Sequence, residues 1–409
     1  MARVYLAFLG TTDYLTCTYY FPDGTEIPDV RFVQQATVRV CCQDWTEEDS
    51  ILIFTTDKAY KKNWLNNGHT DRDGNILERI GLEQCLREIL PQASIRAVKI
   101  PEGQTESEIW EIFQILFDHL NSGDQVVFDI THAFRSIPML AIVVLNYAKV
   151  LKQVTLAGIY YGAFESLGSI VEARALPREQ RRAPILDLTG FAALLDWGLA
   201  IDRFLGAGDA VQVCNLAREE IKPILSDTGG QDRAAAAIRK LANQLETFTK
   251  IMATCRGPEI TPVIARLKAE IEDCVHLDLI PPLKPLLESL LDHVQPFNGD
   301  QIQDGIRAAR WCLKHNLIQQ GYTILREILV SHFAIIRGVD PQCREARENA
   351  CRQYLEALNS KEELIKAFKD LSQARNDLNH AGWRQNPMDA QKFGDKLKIL
   401  IEKIEHHLV

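Results

Sequence analysis

Two short stretches of this chain carry side chains that could do chemistry. The first is Asp129-Ile130-Thr131-His132-Ala133-Phe134-Arg135-Ser136, which follows the apolar run Val126-Val127-Phe128 and leads into Ile137-Pro138-Met139-Leu140. An apolar run that ends in a polar cluster and then turns apolar at helical spacing reads as strand, loop, helix. In an open parallel sheet, ligands bind at the carboxyl ends of strands, against helix N-termini. Thr131 and Ser136 offer hydroxyls there, His132 an imidazole and Arg135 a guanidinium. That set suits phosphate or nucleotide better than an apolar ligand. Asp129, in an otherwise apolar strand, could cap the next helix or hold His132.

The second stretch is Arg375-Asn376-Asp377-Leu378-Asn379-His380. An arginine can neutralise charge on a phosphate in its transition state, and a histidine can move a proton. Roughly 0.6 pairs at this spacing arise by chance in a chain of this composition. A second pair does occur, Arg310-Trp311-Cys312-Leu313-Lys314-His315. It lies on an amphipathic pattern continued by Ile318, Tyr322, Leu325 and Leu329, so it reads as helix packing with surface charge. The later pair is followed by Ala381-Gly382, and Gly382 reads as a helix stop. His380 would then occupy the last turn, where carbonyl dipoles favour a charged imidazole. Residues five apart diverge by about 140° around a helix, so Arg375 and His380 do not share a face. Asn376 and His380 do, which lets Asn376 orient the ring. Two copies of this helix meeting across a dimer would bring Arg375 and His380 into one site.

The elements that must position these residues differ between the two halves. The first 165 residues or so alternate strand and helix. Strands are predicted at Val4–Leu9, Ile51–Phe54, Ile95–Ile100, Val126–Asp129 and Val154–Tyr160. Helices are predicted from Gly81 to Leu90, from a capping box at Thr105–Glu108, and from Pro138 to Leu151. Such alternation, with nearly all-apolar strands, predicts a parallel sheet covered on both faces. Its strand ends share one chemistry: Gly10-Thr11-Thr12-Asp13, Thr55-Thr56-Asp57, Asp129–His132 and Tyr160–Glu165. They are expected to converge on one edge, with Gly10 letting backbone approach a ligand closely. Thr11 and Thr56 also fit the simpler role of helix caps. Glu172–Arg182 is arginine-rich and reads as a solvated linker, with an RNA-contacting loop as the alternative. After Pro184 the period is helical almost throughout, with breaks near Gly206–Gly208, Asp227–Gly230, Arg256–Pro258, Pro281-Pro282 and Gln295–Gly299.

Length and composition set the outer bounds. The chain has 409 residues, enough for two or three domains, with 46% hydrophobic and 25% charged residues. No apolar run approaches the roughly 20 residues of a membrane helix, and the strand-like start does not resemble a secretory signal. A cytoplasmic protein without membrane contact is expected. Ten scattered cysteines, with no Cys-x-x-Cys pair, read as reduced thiols and not as a metal site. The adjacent Cys41-Cys42 falls in a strand-like run. A net charge of −9 argues against a broad DNA-coating surface but leaves room for a small basic cleft.

Several of these segments, with Asn63-Trp64, Ile100–Phe113, Gly158–Glu165 and Pro184–Thr189, resemble the CRISPR-associated CARF–HEPN proteins of type III systems. The resemblance spans most of residues 4–200. It implies an α/β plus all-α chain: a Rossmann-like CARF domain over about 1–183, then a helical region over 184–409. The HEPN nuclease part of that region would cover about 300–409, with a possible helical insert at about 205–300. It implies a homodimer, or a higher homo-oligomer, whose two-fold cleft takes a cyclic oligoadenylate. Gly10, Thr11, Thr12, Asp13, Thr55, Thr56, Thr131, His132, Arg135 and Ser136 are the candidate ligand residues. Arg375, Asn376 and His380 are the candidate catalytic residues. The implied reaction is metal-independent cleavage of single-stranded RNA by 2′-hydroxyl attack. No cofactor is expected beyond an allosteric activator, cyclic tetra-adenylate or cyclic hexa-adenylate. Two alternatives stay open: a sensor or adaptor without nuclease activity, and a cleft that cleaves its own cyclic ligand.

Overall fold

A computed structural model of the chain describes residues 2–71, 73–77, 79–132, 137–277, 283–357 and 362–408. The chain divides into two compact units, Met1–Ala193 and Leu194–Val409. The first is built on a sheet whose strands are β1 (Arg3–Leu9), β2 (Cys17–Tyr20), β3 (Glu26–Val30), β4 (Ser50–Thr55), β5 (Ser94–Lys99), β6 (Gln125–Asp129), β7 (Thr155–Gly162) and β8 (Arg182–Asp187). Their order is β3-β2-β8-β7-β6-β1-β4-β5. The five strands read from the sequence form the continuous parallel part, β7-β6-β1-β4-β5.

Alternation along β1 shows why both faces are covered. Val4, Leu6 and Phe8 pack with Ile112 and Leu116 of the helix Glu106–Asp118 and with Val144, Leu145 and Ala148 of the helix Ile137–Lys152. Tyr5, Ala7 and Leu9 pack on the other face with Val38 of the helix Val33–Cys41 and with Leu82 and Leu86 of the helix Leu82–Ile89. Successive side chains point to opposite faces, so a strand apolar at every position is buried on both. Setting the β2–β3 hairpin aside, the chain passes from β1 to β4 and β5 on one side and then to β6 and β7 on the other. The carboxyl ends of β1 and β6 therefore flank the point where the strand order reverses, which favours a ligand site there.

The sheet departs from the expected all-parallel form. The hairpin β2–β3 is antiparallel, β8 runs antiparallel to β7, and β2 joins β8 in parallel. These strands are short, and Pro28 and Pro184 lie inside two of them, which argues against a strand when read locally. Strands do not stop at Pro184 but continue to Asp187. Glu172–Arg182 is no solvated linker. It contributes to a helix (Ile170–Ala175) capped by Ser169, and its arginines are engaged: Arg174 with Asp13, Arg178 with Asp29, and Arg182 with Glu26. Cys41 ends a helix and Cys42 caps it, so that pair is not in a strand.

The second unit is helical among its described residues. The helices Thr189–Ala207, which begins just before this unit, Val211–Asp227, Arg233–Ala253, Gly257–Val275 and Leu283–Val294 come first. Gln301–Lys314, Ile318–Ile336, Arg344–Ala357, Glu362–Asn379 and Lys392–Leu408 then share one core, with Tyr322, Leu325, Phe333, Leu371 and Leu397 at its centre. The break expected at Pro281-Pro282 lies outside the described residues. None of the helices is long and apolar enough to cross a membrane among the described residues.

Candidate functional site

At the β1/β6 switch point the first unit holds a pocket of about 260 Å³. Of the candidate ligand residues it gathers Gly10, Thr11, Thr12, Thr56, Thr131 and His132, over an apolar floor that includes Phe8, Phe54 and Ile100. Ile100 brings in the β5 end, whereas no residue from the β7 end at 160–165 lines it. Arg135 and Ser136 lie outside the described residues.

Most polar groups around this pocket already hold one another in place. The Tyr14 hydroxyl accepts from the Gly10 N–H at 3.0 Å. A Cβ at Gly10 would stand 2.6 Å from that hydroxyl. Gly10 therefore makes room for Tyr14 while lining the pocket itself. Asn63, fully buried, donates to the carbonyls of Gly10 and Thr12 at 2.8 and 3.0 Å and so fixes the loop's path. Thr56 accepts from Ala59 N–H at 3.3 Å and is a helix cap. The Thr131 hydroxyl accepts from Gly162 N–H at 2.8 Å. Thr11 and Thr12 are exposed, with side chains that make no hydrogen bond among the described residues.

Two candidates fall away from the pocket. Asp13 is paired with Arg79 at 2.7 Å and with Arg31 and Arg174 at 3.5 Å. Burial works against its charge, but the hydrogen bond and charge of Arg79, helped by His69 and Arg31, hold its pKa below the usual value. Its role is to anchor the loop. Thr55 is buried at the end of β4 and does not line the cavity.

His132 stacks on Tyr14 with centroids 4.3 Å apart. Its Nε2 is shielded and has no hydrogen-bond partner. Burial pushes its pKa down to about 4, so the ring is neutral near pH 7. Asp129 neither caps the next helix nor holds His132. It is fully buried, accepting from Tyr5 at 3.1 Å, Thr37 at 3.0 Å and Thr131 N–H at 2.9 Å. Burial raises its pKa against those hydrogen bonds.

In the helical unit, Arg375, Asn376 and His380 lie at the end of the helix Glu362–Asn379. Arg375 is partly buried, 3.7 Å from the Glu327 carboxylate. Asn376 and His380 are exposed. The Asn376 amide oxygen accepts from Arg375 at 3.3 Å and does not orient the His380 ring, which makes no hydrogen bond among the described residues. The helix stops one residue earlier than expected. Gly382 N–H reaches back to Asp377 O and Ala381 N–H to Leu378 O, both at 3.1 Å. In this Schellman arrangement Ala381, at φ 51°, takes the left-handed position expected of Gly382, which follows at φ 74°. The other Arg–His pair is structural. Arg310 is tied to Glu405, and His315 is buried against Trp311, where burial lowers its pKa.

Residues 4–165 match the family model described as CRISPR system endoribonuclease Csx1, CARF domain. The CRISPR-associated protein MJ1674 of Methanocaldococcus jannaschii is 27% identical over 242 residues, which is 55% of this chain and 36% of that protein. Residues 4–165 are thus similar to a CARF domain, and the chain spans only about a third of the length of the relative it matches. The family-model match lies wholly within the sheet-containing unit, and the pocket described above lies within the region that matches the CARF model.

Three residues that shape this CARF pocket were not among the candidates. Tyr14 was signalled only by its four-residue spacing from Gly10. Asn63 sits in a single π-helical turn, Tyr60–Trp64, where nothing local announces that its amide will read two distant carbonyls. Arg31, whose guanidinium reaches Tyr14 O at 3.3 Å and Asn66 at 2.9 Å, belongs to a strand-to-helix join that the sequence reading did not detect.

Proposed function

We propose that this CARF protein is a cyclic-oligoadenylate-activated endoribonuclease of type III CRISPR antiviral defence that cuts single-stranded RNA without a metal ion. The observation that carries the sensing half is the pocket at the β1/β6 switch point of a CARF domain. Its Thr11 and Thr12 hydroxyls and the Nε2 of its neutral His132, unpartnered among the described residues, offer hydrogen bonds to phosphate oxygens and to adenine nitrogens. Cyclic tetra-adenylate or cyclic hexa-adenylate is the activator. The effector half rests on Arg375 and His380 at one helix end in a separate helical unit. The 2′-hydroxyl of a ribose attacks the adjacent phosphorus, the new O2′–P bond forms, and the P–O5′ bond breaks. The products are a 2′,3′-cyclic phosphate and a 5′-hydroxyl. Arg375 neutralises charge on the pentacoordinate phosphate, and His380 moves a proton to or from the reacting oxygens.

Both halves call for a homodimer. A symmetric ring suits a two-fold cleft, and Arg375 and His380, diverging on one helix, form a composite site when two copies meet. Met139, Val143, Tyr147 and Val150 support self-association: they form an exposed apolar stripe on the helix Ile137–Lys152, opposite its buried Val144, Leu145 and Ala148.

The test is cleavage of a fluorescent single-stranded RNA in EDTA, with and without each cyclic oligoadenylate, for wild type and His380→Ala. Cleavage that requires one ring and vanishes in the variant supports the whole reading. Ring binding without cleavage sinks the nuclease half and leaves a sensor or adaptor. Linear adenylates released from the ring would show that the pocket degrades its own activator.

A further inference from the structure

Around Glu327 the helical unit gathers more positive charge than it neutralises. Arg326 is the most enclosed of three guanidiniums, with its side chain 15% exposed. It donates to Glu327 at 2.6 Å and to both oxygens of Glu348 at 3.0 and 3.1 Å. Burial disfavours its charge, yet the two carboxylates raise its pKa above the usual arginine value. Arg326 is thus fully paired and structural. Glu327 then has one carboxylate left for two further arginines. Arg347 donates to it at 2.8 Å, while Arg375 stands at 3.7 Å, beyond hydrogen-bond reach.

Among the described residues, three cations on two anions leave one positive charge, and it falls on Arg347 and Arg375, which share the single carboxylate, Arg347 also donating to the Ser331 hydroxyl at 3.4 Å. The Nε atoms of both are shielded and without a hydrogen-bond partner. Both side chains keep a solvent-reachable part, 22% and 27% exposed. An unmatched, partly buried charge is costly, and paired guanidiniums favour an oxyanion with several acceptor oxygens. Arg347 comes from the helix Arg344–Ala357 and Arg375 from Glu362–Asn379, so the seat joins two helices through a carboxylate on a third.

We propose that Arg347 is a second phosphate-binding residue for single-stranded RNA, held beside Arg375 by Glu327, which acts as a positioning residue for both. This rests on the RNA-cleaving function proposed above and adds a contact to it. Glu327 keeps the two guanidiniums together without saturating them, so a phosphodiester entering the seat completes the charge balance.

The experiment measures RNA binding, so that its outcome is separable from cleavage. Binding of a fluorescent single-stranded RNA to the full chain is followed against salt in the His380→Ala background, where no substrate is consumed. Arg347→Gln keeps a donor for Glu327 and removes the charge. Its expected effect is about tenfold weaker binding at low salt, with a log–log salt slope shallower by about 0.7, the value of one single-strand phosphate contact. Arg347→Lys should retain the slope. Glu327→Gln in an otherwise wild-type chain should lower kcat about tenfold while KM for RNA does not rise, because it disorders Arg375 yet removes a repulsive charge. A merely structural Glu327 would instead raise KM and lower Tm together. Unchanged affinity and slope in Arg347→Gln, with Tm preserved, overturns the proposal whether or not the wild type cleaves RNA. Absence of cleavage by the wild type, with the slope change present, overturns only the nuclease reading.

Discussion

The CARF pocket and the arginine seat are opposite solutions to recognising a nucleotide. In the pocket, nearly every polar group is engaged before a ligand arrives. Tyr14 holds Gly10, Asn63 holds Gly10 and Thr12, and Gly162 holds Thr131. Among the described residues, what faces the cavity is an apolar floor, two free hydroxyls and a neutral imidazole. In the helical unit, Arg375 has a loose ion pair and a long hydrogen bond to Asn376, its neighbour Arg347 shares the same carboxylate, and His380 is exposed. A preorganised neutral pocket selects by shape and hydrogen bonding and is insensitive to salt. A seat with surplus charge attracts any phosphodiester and weakens as salt rises. On the function proposed above, specificity would belong to the first and RNA promiscuity to the second.

The contrast breaks hardest at His380. His380→Ala should reduce RNA cleavage by about 10²–10⁴-fold, the usual range for a general acid or base, with cyclic-oligoadenylate affinity unchanged by calorimetry. Loss of ring binding in that variant would mean that the two regions are not separable as described. Gly10→Ala comes next. Its methyl would meet the Tyr14 hydroxyl at 2.6 Å, so ring affinity should fall by about tenfold or more, while Tyr14→Phe, which only frees one N–H, should cost about 1 kcal/mol. An equal loss in both would shift the weight from loop shape to the Tyr14 hydroxyl itself. Val143→Glu, in the exposed stripe of the helix Ile137–Lys152, should turn a dimer into a monomer in sedimentation and lower ring affinity.

A finer test uses pH. The folded state holds the His132 pKa down near 4, against an ordinary value of 6.5. The unfolded chain therefore binds more protons between those values, and stability contributed by the neutral ring is lost as pH falls from about 6.5 to 4. The raised pKa of Asp129 acts in the opposite sense. His132→Gln should flatten the fall in Tm over that window. A fall as steep as that of wild type would place the acid sensitivity elsewhere. The smallest effect is expected at Asp13. Asp13→Asn leaves the pocket lining intact and weakens three partly exposed ion pairs, for under about 1 kcal/mol of stability and little change in ring affinity.

Legibility in the sequence followed burial. Strands β1, β4 and β6 are apolar on both faces, and β5 and β7 keep apolar residues at buried positions, so each announced itself without reference to its neighbours. Strands β2, β3 and β8 are short, polar on one side or interrupted by Pro28 or Pro184, and only pairing partners distant in sequence make them strands. The strand-end rule located Thr11, Thr12, Thr56, Thr131 and His132 at the cavity. It also swept in Asp13, because an acidic residue at a strand end looks the same whether it faces a ligand or three arginines. Nothing in local spacing tells those apart. The charge run at 172–182 failed for a related reason. Its arginines read as solvated because their partners Asp13, Asp29 and Glu26 lie some 150 residues away.

The helix end at Ala381 has a consequence for motion. A non-glycine residue held left-handed costs roughly 1 kcal/mol relative to glycine, and here that cost falls on the turn that presents His380. The last hydrogen bonds of the helix Glu362–Asn379 should therefore open more readily than those one turn earlier. Amide exchange at Ala381 and Gly382 should be fast, and Ala381→Gly should slow it. A histidine on the most readily unzipped turn of its helix samples many orientations until an RNA phosphate or a second helix selects one.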